Sequence, residues 1–277
     1  MEIPHSEGDN ILEDRMNIFI YSKHDKDSLE KKSKVEDALI HEGFTITEDD
    51  AKANIIISIG SDGSFLQAVR KTGFRQDCLY AGISLTGKHA LYCDFHYNNL
   101  YEMTQAIRAA KLKVRKYPLI EVAVDNQQPF YCLNEFSIRS NIIRTFILDV
   151  IIDDTLFETF LGDGLIISTP TGSTAYNKSV RGAVVDPLLP CFQVTELASV
   201  NNNTYRTLGS SFIMSGNRHL KLKVHQDGND FPSMAADNEA IGIRQVENVE
   251  IRLSDKVIKT VKLKDNSFWE KVQRIYL

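Results

Sequence analysis

Two short segments hold most of the residues able to do chemistry. Gly60-Ser61-Asp62-Gly63 directly follows the β-branched run Ile55–Ile59. A loop at the carboxyl end of such a strand is where ligands bind in open α/β sheets. Its glycines let the backbone approach phosphates, and the helix expected after it offers free N–H groups. Asp62 beside a phosphate donor suits acceptance of a proton from an attacking hydroxyl. Read alone, the segment is equally an Asp-Gly turn in which Asp62 caps the helix. Neither a Walker A loop nor a three-glycine Rossmann fingerprint is present.

Thr169-Pro170-Thr171-Gly172-Ser173-Thr174-Ala175-Tyr176 is the second segment. Pro170 and Gly172 set the backbone, and Thr171, Ser173 and Thr174 suit the start of a short helix. A simple capped turn needs one hydroxyl, so the surplus points to a polar ligand, with Tyr176 offering an aromatic face. Asn134-Glu135 pairs an amide with a carboxylate, which suits a ribose or a plain strand end. Gly162-Asp163-Gly164 is a tight turn that exposes the Asp163 carboxylate.

The elements that must position these residues change character along the chain. Strands are expected at 18–21, 55–59 and 79–83, with helices at 27–42, 64–71 and 98–111, the alternation of a helix-flanked parallel sheet. From Pro118 the pattern turns to short strands at 119–124, 145–152, 220–224, 249–253 and 257–263. Turn chemistry marks Asp125-Asn126 and Asp153-Asp154, and Ser254-Asp255 is expected to close a late hairpin. The expected fold is therefore α/β over residues 1–112, then a β-rich, sandwich-like domain over 113–262. Helical spacing returns at 267–277, and residues 263–277 are expected to pack back on the first domain. Residues 1–14 read as a flexible leader, with Met16 an alternative start. The basic stretch Lys111–Lys116 reads as a solvated linker.

Composition excludes several classes. The 277 residues are 43% hydrophobic with net charge −5, against the basic balance of a nucleic-acid binder. No apolar run is long enough to span a bilayer, and no secretory pattern opens the chain, so a cytoplasmic protein is expected. The four cysteines are scattered and read as reduced thiols, and neither they nor the histidines show metal-ligand spacing.

In combination and order, these motifs resemble the NAD kinase family, nearest its bacillus-type members. Asn177-Lys178-Ser179, Thr195–Ser199 and Asn202–Arg206 extend the likeness over nearly the whole chain after Met16. The resemblance implies transfer of the γ-phosphoryl of ATP, with Mg²⁺ carried on the nucleotide, to the 2′-hydroxyl of the adenosine ribose of NAD. It implies Asp62 as general base and Gly60, Ser61 and Gly63 as the phosphate loop. Asn134 and Glu135 would hold ribose and phosphate groups, while Thr171, Thr174, Ala175 and Tyr176 line the base pockets near Tyr92 and Ser179. Asp163 would meet the carboxamide across a subunit interface of a homodimer or homotetramer, and Asp237 and Asn238 would border the site. Two departures, Ser61 for the usual glycine and Leu161 for the usual arginine, leave open a weakened NAD(P)-binding paralogue acting as sensor or regulator.

Overall fold

The computed structural model describes residues 17–85, 90–108, 113–141, 145–226, 232–243, 245–262 and 267–277. The expected leader and Met16 lie outside these residues. The chain forms two compact units, one of residues up to Lys116 together with Ile258–Leu277, the other of Tyr117–Val257.

In the first unit β1 (Asn17–Tyr21) leads through α1 (Lys26–His41) and β2 (Thr45–Ile46) to β3 (Ile55–Gly60). Asp25 caps α1, its carboxylate accepting the Ser28 N–H at 3.0 Å. Val35 and Leu39, one helical turn apart, are fully buried on its inner face. Gly43, at φ +84°, ends the helix in the left-handed conformation glycine favours. The order continues through α2 (Asp62–Lys71), β4 (Leu79–Ser84), β5 (Cys93–His96) and α3 (Leu100–Arg108). The strands lie parallel in the order β2-β1-β3-β4-β5. Ile55 to Ile59 are all buried, because β1 and β4 pair with the two edges of β3 while α1 and α2 pack on it.

The second unit holds β6 (Lys113–Val124, entering from the first), β7 (Phe130–Cys132), β8 (Glu135–Arg139), β9 (Phe146–Ile152), β10 (Thr155–Gly162) and β11 (Gly164–Ser168). A short helix α4 (Tyr176–Ser179) precedes β12 (Cys191–Leu197), β13 (Phe212–Ser215), β14 (His219–Val224), β15 (Ser233–Ala236), β16 (Glu239–Ile241) and β17 (Asn248–Lys262). One antiparallel sheet runs β13-β12-β11-β8-β15-β16, and β10, β9, β14 and β17 pair antiparallel in a second. Phe136, Ile138, Leu165 and Val194 of one share a core with Leu148, Val150, Leu222 and Ile251 of the other. Each such side chain contributes about 1.5–3 kcal/mol on burial. The last strand, β17, carries the chain back to the first unit, where α5 (Phe268–Tyr276) ends it.

The mixed α/β then β-rich class is as expected, with two corrections. Ser254-Asp255 closes no hairpin, because β17 is one strand from Asn248 to Lys262. Val249 and Ile251 face inward, then Ser254, Ile258 and Thr260 do, so the inward parity flips in mid-strand without reversing the chain. Nor are the described residues of the basic stretch a linker: Lys113–Lys116 begin β6, with Lys113, Val114 and Lys116 exposed to solvent and Arg115 pairing with buried Asp94 at 3.4 Å.

Candidate active site

Asp62 is the first residue of α2, and Ser61 before it takes an extended backbone at φ −108°, ψ 178°. The Asp62 side chain turns away from its own helix. Its Oδ2 accepts the Leu91 N–H and its Oδ1 the Tyr92 N–H, both at 2.8 Å. Burial raises the Asp62 pKa above the usual carboxylate range, while the two N–H groups and the charge of Lys271 pull it down. A carboxylate offers about four lone-pair sites, so two bonds fix its direction and leave acceptors over. Gly60, at φ +139°, has no room for a side chain, since a Cβ would lie 2.4 Å from Ser64 Oγ. A Cβ on Gly63 would make only an ordinary contact, 3.6 Å from Ser61 Oγ. The ring of Tyr92 is buried and stacked on Phe65 at 5.0 Å. What Tyr92 presents to Asp62 is its backbone N–H rather than its ring.

The second unit contains a cavity of about 530 Å³ lined by Asn134, Glu135, Ser137, Arg139, Ala175, Tyr176, Ser233, Ala235 and Asn238. Asp237 organises one wall from beneath. Its Oδ1 accepts the Asn134 and Glu135 N–H groups at 2.6 and 3.2 Å, and its Oδ2 the Leu133 N–H at 2.9 Å. Asp237 and Asn238, at φ +47° and +67°, make the two-residue turn between β15 and β16. Asn238 is exposed at the cavity while Asp237 is buried. Among the described residues nothing donates to Glu135 Oε2. Burial first, and the Asp237 charge second, push the Glu135 pKa up to about 8 against a lowering by the Tyr176 N–H.

The hydroxyl-rich segment serves mainly to build this wall. Thr169, Thr171 and Ser173 are fully buried. Thr169 Oγ1 donates to the Leu133 carbonyl at 2.6 Å, and Thr171 Oγ1 to the same oxygen at 3.2 Å. Ser173 Oγ donates to the Pro170 carbonyl at 2.5 Å and accepts the Val185 N–H at 2.9 Å. Thr171 is thus occupied inside the protein rather than open to a ligand, a correction to the expectation that the surplus hydroxyls serve one. Thr174 Oγ1 bonds the Thr171 carbonyl at 3.0 Å, and Ala175 and Tyr176 do line the cavity. Ser179 is exposed outside that lining, its hydroxyl on the Tyr176 carbonyl at 2.7 Å. Asp163 is exposed in its turn, with Gly164 pressed within 2.2 Å (Cβ position) of the Ile138 carbonyl.

Sequence reasoning missed Ser137, Arg139, Ser233 and Ala235. Glu135, Ser137 and Arg139 alternate with buried Phe136 and Ile138 along β8, and that period-two pattern was the available signal. Arg139 pairs with Ser233, and Ser137 with Ala235, across the β8/β15 ladder, so all share one face. Arg139 Nη1 donates to the Tyr176 hydroxyl at 3.2 Å. Among the described residues no three His, Cys, Asp or Glu side chains gather as a metal site, and no helix is long and apolar enough to cross a membrane.

The model of the ATP-NAD kinase C-terminal domain matches residues 133–263. NAD kinase 2 of Bacillus subtilis (strain 168) is 60% identical over 267 residues, 96% of this chain and 100% of that protein. NAD kinase 2 of Halalkalibacterium halodurans is 57% identical over 266 residues, again 96% and 100%. Yeast NADH kinase, in a crystal structure complexed with NADH, superposes with TM-score 0.78 at 18% identity, over 93% of this chain and 86% of that one. An NAD kinase from Archaeoglobus fulgidus in complex with ATP gives 0.73 at 21%, over 94% and 100%. Those two likenesses establish the shared fold, and the far closer sequence relatives establish more: the chain belongs to the NAD kinase family.

Proposed function

We propose that this protein transfers the γ-phosphoryl of ATP to the 2′-hydroxyl of the adenosine ribose of NAD, giving NADP and ADP. The bond between O2′ and Pγ forms, the Pγ–O bond to the β-phosphate breaks, and the hydroxyl proton passes to Asp62. The observation that carries this reading is the Asp62 carboxylate itself. It is aimed by two N–H groups, raised in basicity by burial, and set behind a glycine loop at a strand's carboxyl end. General-base help of this kind is worth roughly 10²–10⁴ in rate, and positioning with charge neutralisation supplies the remainder.

In this reading Gly60, Ser61 and Gly63 border the phosphates, and the second unit's cavity holds NAD. Glu135 Oε2, buried without a donor, takes a ribose hydroxyl. Asn134, Thr174, Ala175, Tyr176 and Asn238 frame the dinucleotide, while Asp237 acts on it through Asn134 and Glu135. Asp163 meets the carboxamide from a neighbouring subunit of a homodimer or homotetramer. Mg²⁺ would come with the ATP phosphates and would supply charge neutralisation there. Four buried cysteines, none in a disulfide, suit the cytoplasm. The weakened-paralogue reading finds no support, since Ser61 is unstrained and Leu161 is buried in β10.

Purified protein given ATP, Mg²⁺ and NAD is expected to form NADP stoichiometrically with ADP. Absence of NADP above background, with NAD still bound by calorimetry, would remove the kinase activity and leave only binding.

A further inference from the structure

Lys271 of α5 is fully buried, yet no step of the phosphoryl transfer uses it. Its Nζ donates to the Leu91 carbonyl at 2.6 Å and lies 2.9 Å from Asp94 Oδ1. The Leu91 carbonyl and the Tyr92 N–H belong to one planar peptide group, and they point to opposite sides of it. That N–H is the one on Asp62 Oδ1. A single peptide therefore links a buried ammonium on one side to the proposed base on the other. Resonance in the peptide lets a cation on its oxygen strengthen its N–H as a donor.

We propose that Lys271 is a positioning residue for Asp62, clamping the Leu91–Tyr92 peptide so that the carboxylate stays aimed. The inference rests on the reading of Asp62 as base. Anchoring α5 needs no charge. Phe268 is already buried on the same helix, and a buried ion pair is commonly replaceable by apolar side chains without loss of stability. The helix start that aims Lys271 is itself fixed, Ser267 and Glu270 exchanging bonds of 3.1 and 2.6 Å. Among the described residues, the ionisable groups around the clamp are Asp62 of α2, Cys93 and Asp94 of β5, Arg115 of β6 and Lys262 of β17. Burial lowers the Lys271 pKa, Arg115 acts the same way, and Asp94 and Asp62 oppose them.

The test measures kcat, KM and the pH dependence of kcat for Lys271→Met, with Lys271→Gln as a second neutral variant should the first not fold. Removing the cation raises the pKa of the carboxylate it faces. The acid limb of kcat is therefore expected to move to higher pH by about half a unit or more. At neutral pH kcat falls about 10- to 100-fold, as expected for a misaimed group, and KM for NAD stays unchanged. Lys271→Arg, which keeps the charge, should leave the limb in place. A purely structural lysine would lower stability or the active fraction without moving the limb. An unmoved limb in a folded neutral variant overturns the proposal. Asp62→Asn in the same series separates the two readings. Its loss of turnover beside an unmoved limb refutes Lys271 alone, whereas retained turnover refutes Asp62 as base and the clamp with it.

Discussion

Asp62 and Glu135 are both carboxylates that burial pushes upward in pKa, and the two units hold them in opposite ways. Both Asp62 oxygens accept backbone N–H groups, and Lys271 adds a compensating charge. Glu135 has one oxygen with no donor among the described residues, and its charged neighbour is another carboxylate, Asp237. The difference separates two tasks. A group that must receive a proton along one direction needs its orientation fixed and a lone pair left over. A group that must recognise a hydroxyl needs an acceptor held in reserve, and the protein bears the cost of that unsatisfied atom until the ligand arrives.

The largest expected effect breaks the first half of that comparison. Asp62→Asn removes the base and turns an NH₂ group toward the Leu91 or Tyr92 N–H, donor against donor. Turnover should fall by roughly 10²–10⁴, with NAD affinity unchanged in calorimetry. Loss of less than about threefold, outside the usual general-base range, would show that Asp62 is not the base.

Glu135→Gln comes next and tests the second half. With its pKa up at about 8 against an ordinary 4.5, Glu135 stays protonated in the folded apo protein where the unfolded chain has lost the proton. The native state then binds more protons than the unfolded state, so this group's contribution to stability falls as pH rises from about 4.5 and levels off above about 8. The glutamine variant should flatten that part of the profile in thermal melts and be relatively more stable at pH 8 to 9 than at pH 5. It should also weaken NAD binding by about fivefold, the value of one neutral hydrogen bond of about 1 kcal/mol. A wild-type melting profile that rises across this window would contradict a carboxyl kept neutral by burial.

Much of this contrast was readable in the sequence, and part of it was hidden by physics a sequence does not display. The glycine loop after Ile55–Ile59 announced itself because a continuous β-branched run fixes a covered strand, and the loop must follow at its end. The donors that aim Asp62 sit 29 and 30 residues away and are backbone groups, which carry no side-chain signature. Lys271 is farther still, on the last helix, where a lysine reads as surface. In Thr169–Tyr176 the residue types were informative but their office was misread. All four Ser and Thr hydroxyls satisfy buried backbone groups, above all the Leu133 carbonyl, because this irregular chain has no ladder to do it.

That internal use of the segment yields a third, intermediate prediction. A Cβ on Gly172 would stand 1.9 Å from the Asn134 carbonyl oxygen and 2.3 Å from its carbon, both backbone atoms. Neither can rotate aside, and the same carbonyl accepts the Thr169 N–H at 2.9 Å. Gly172→Ala should therefore displace Asn134 and Glu135 together, destabilising the protein by about 1–3 kcal/mol and weakening NAD binding while leaving Asp62 untouched. Full NAD affinity in this variant would mean that the cavity wall tolerates movement, against the fixed frame that Asp237 and Thr169 provide.

The smallest effect is expected at Ser61, in the loop before Asp62. Gly60 and Ser61 are neighbours with opposite requirements. Gly60 sits at φ +139°, where side chains are strained, whereas Ser61 at φ −108°, ψ 178° has the extended backbone any residue adopts. Ser61 is also the N-cap of α2, where serine and glycine differ by only a few tenths of a kcal/mol. Ser61→Gly should accordingly change kcat by no more than about twofold, the effect of ~0.5 kcal/mol, and alter the melting temperature only slightly. A gain of tenfold would mean that nucleotide binding drives the loop into a backbone shape that only glycine reaches. The aim of Asp62 would then be set on binding, and the contrast with Glu135 would lose its basis.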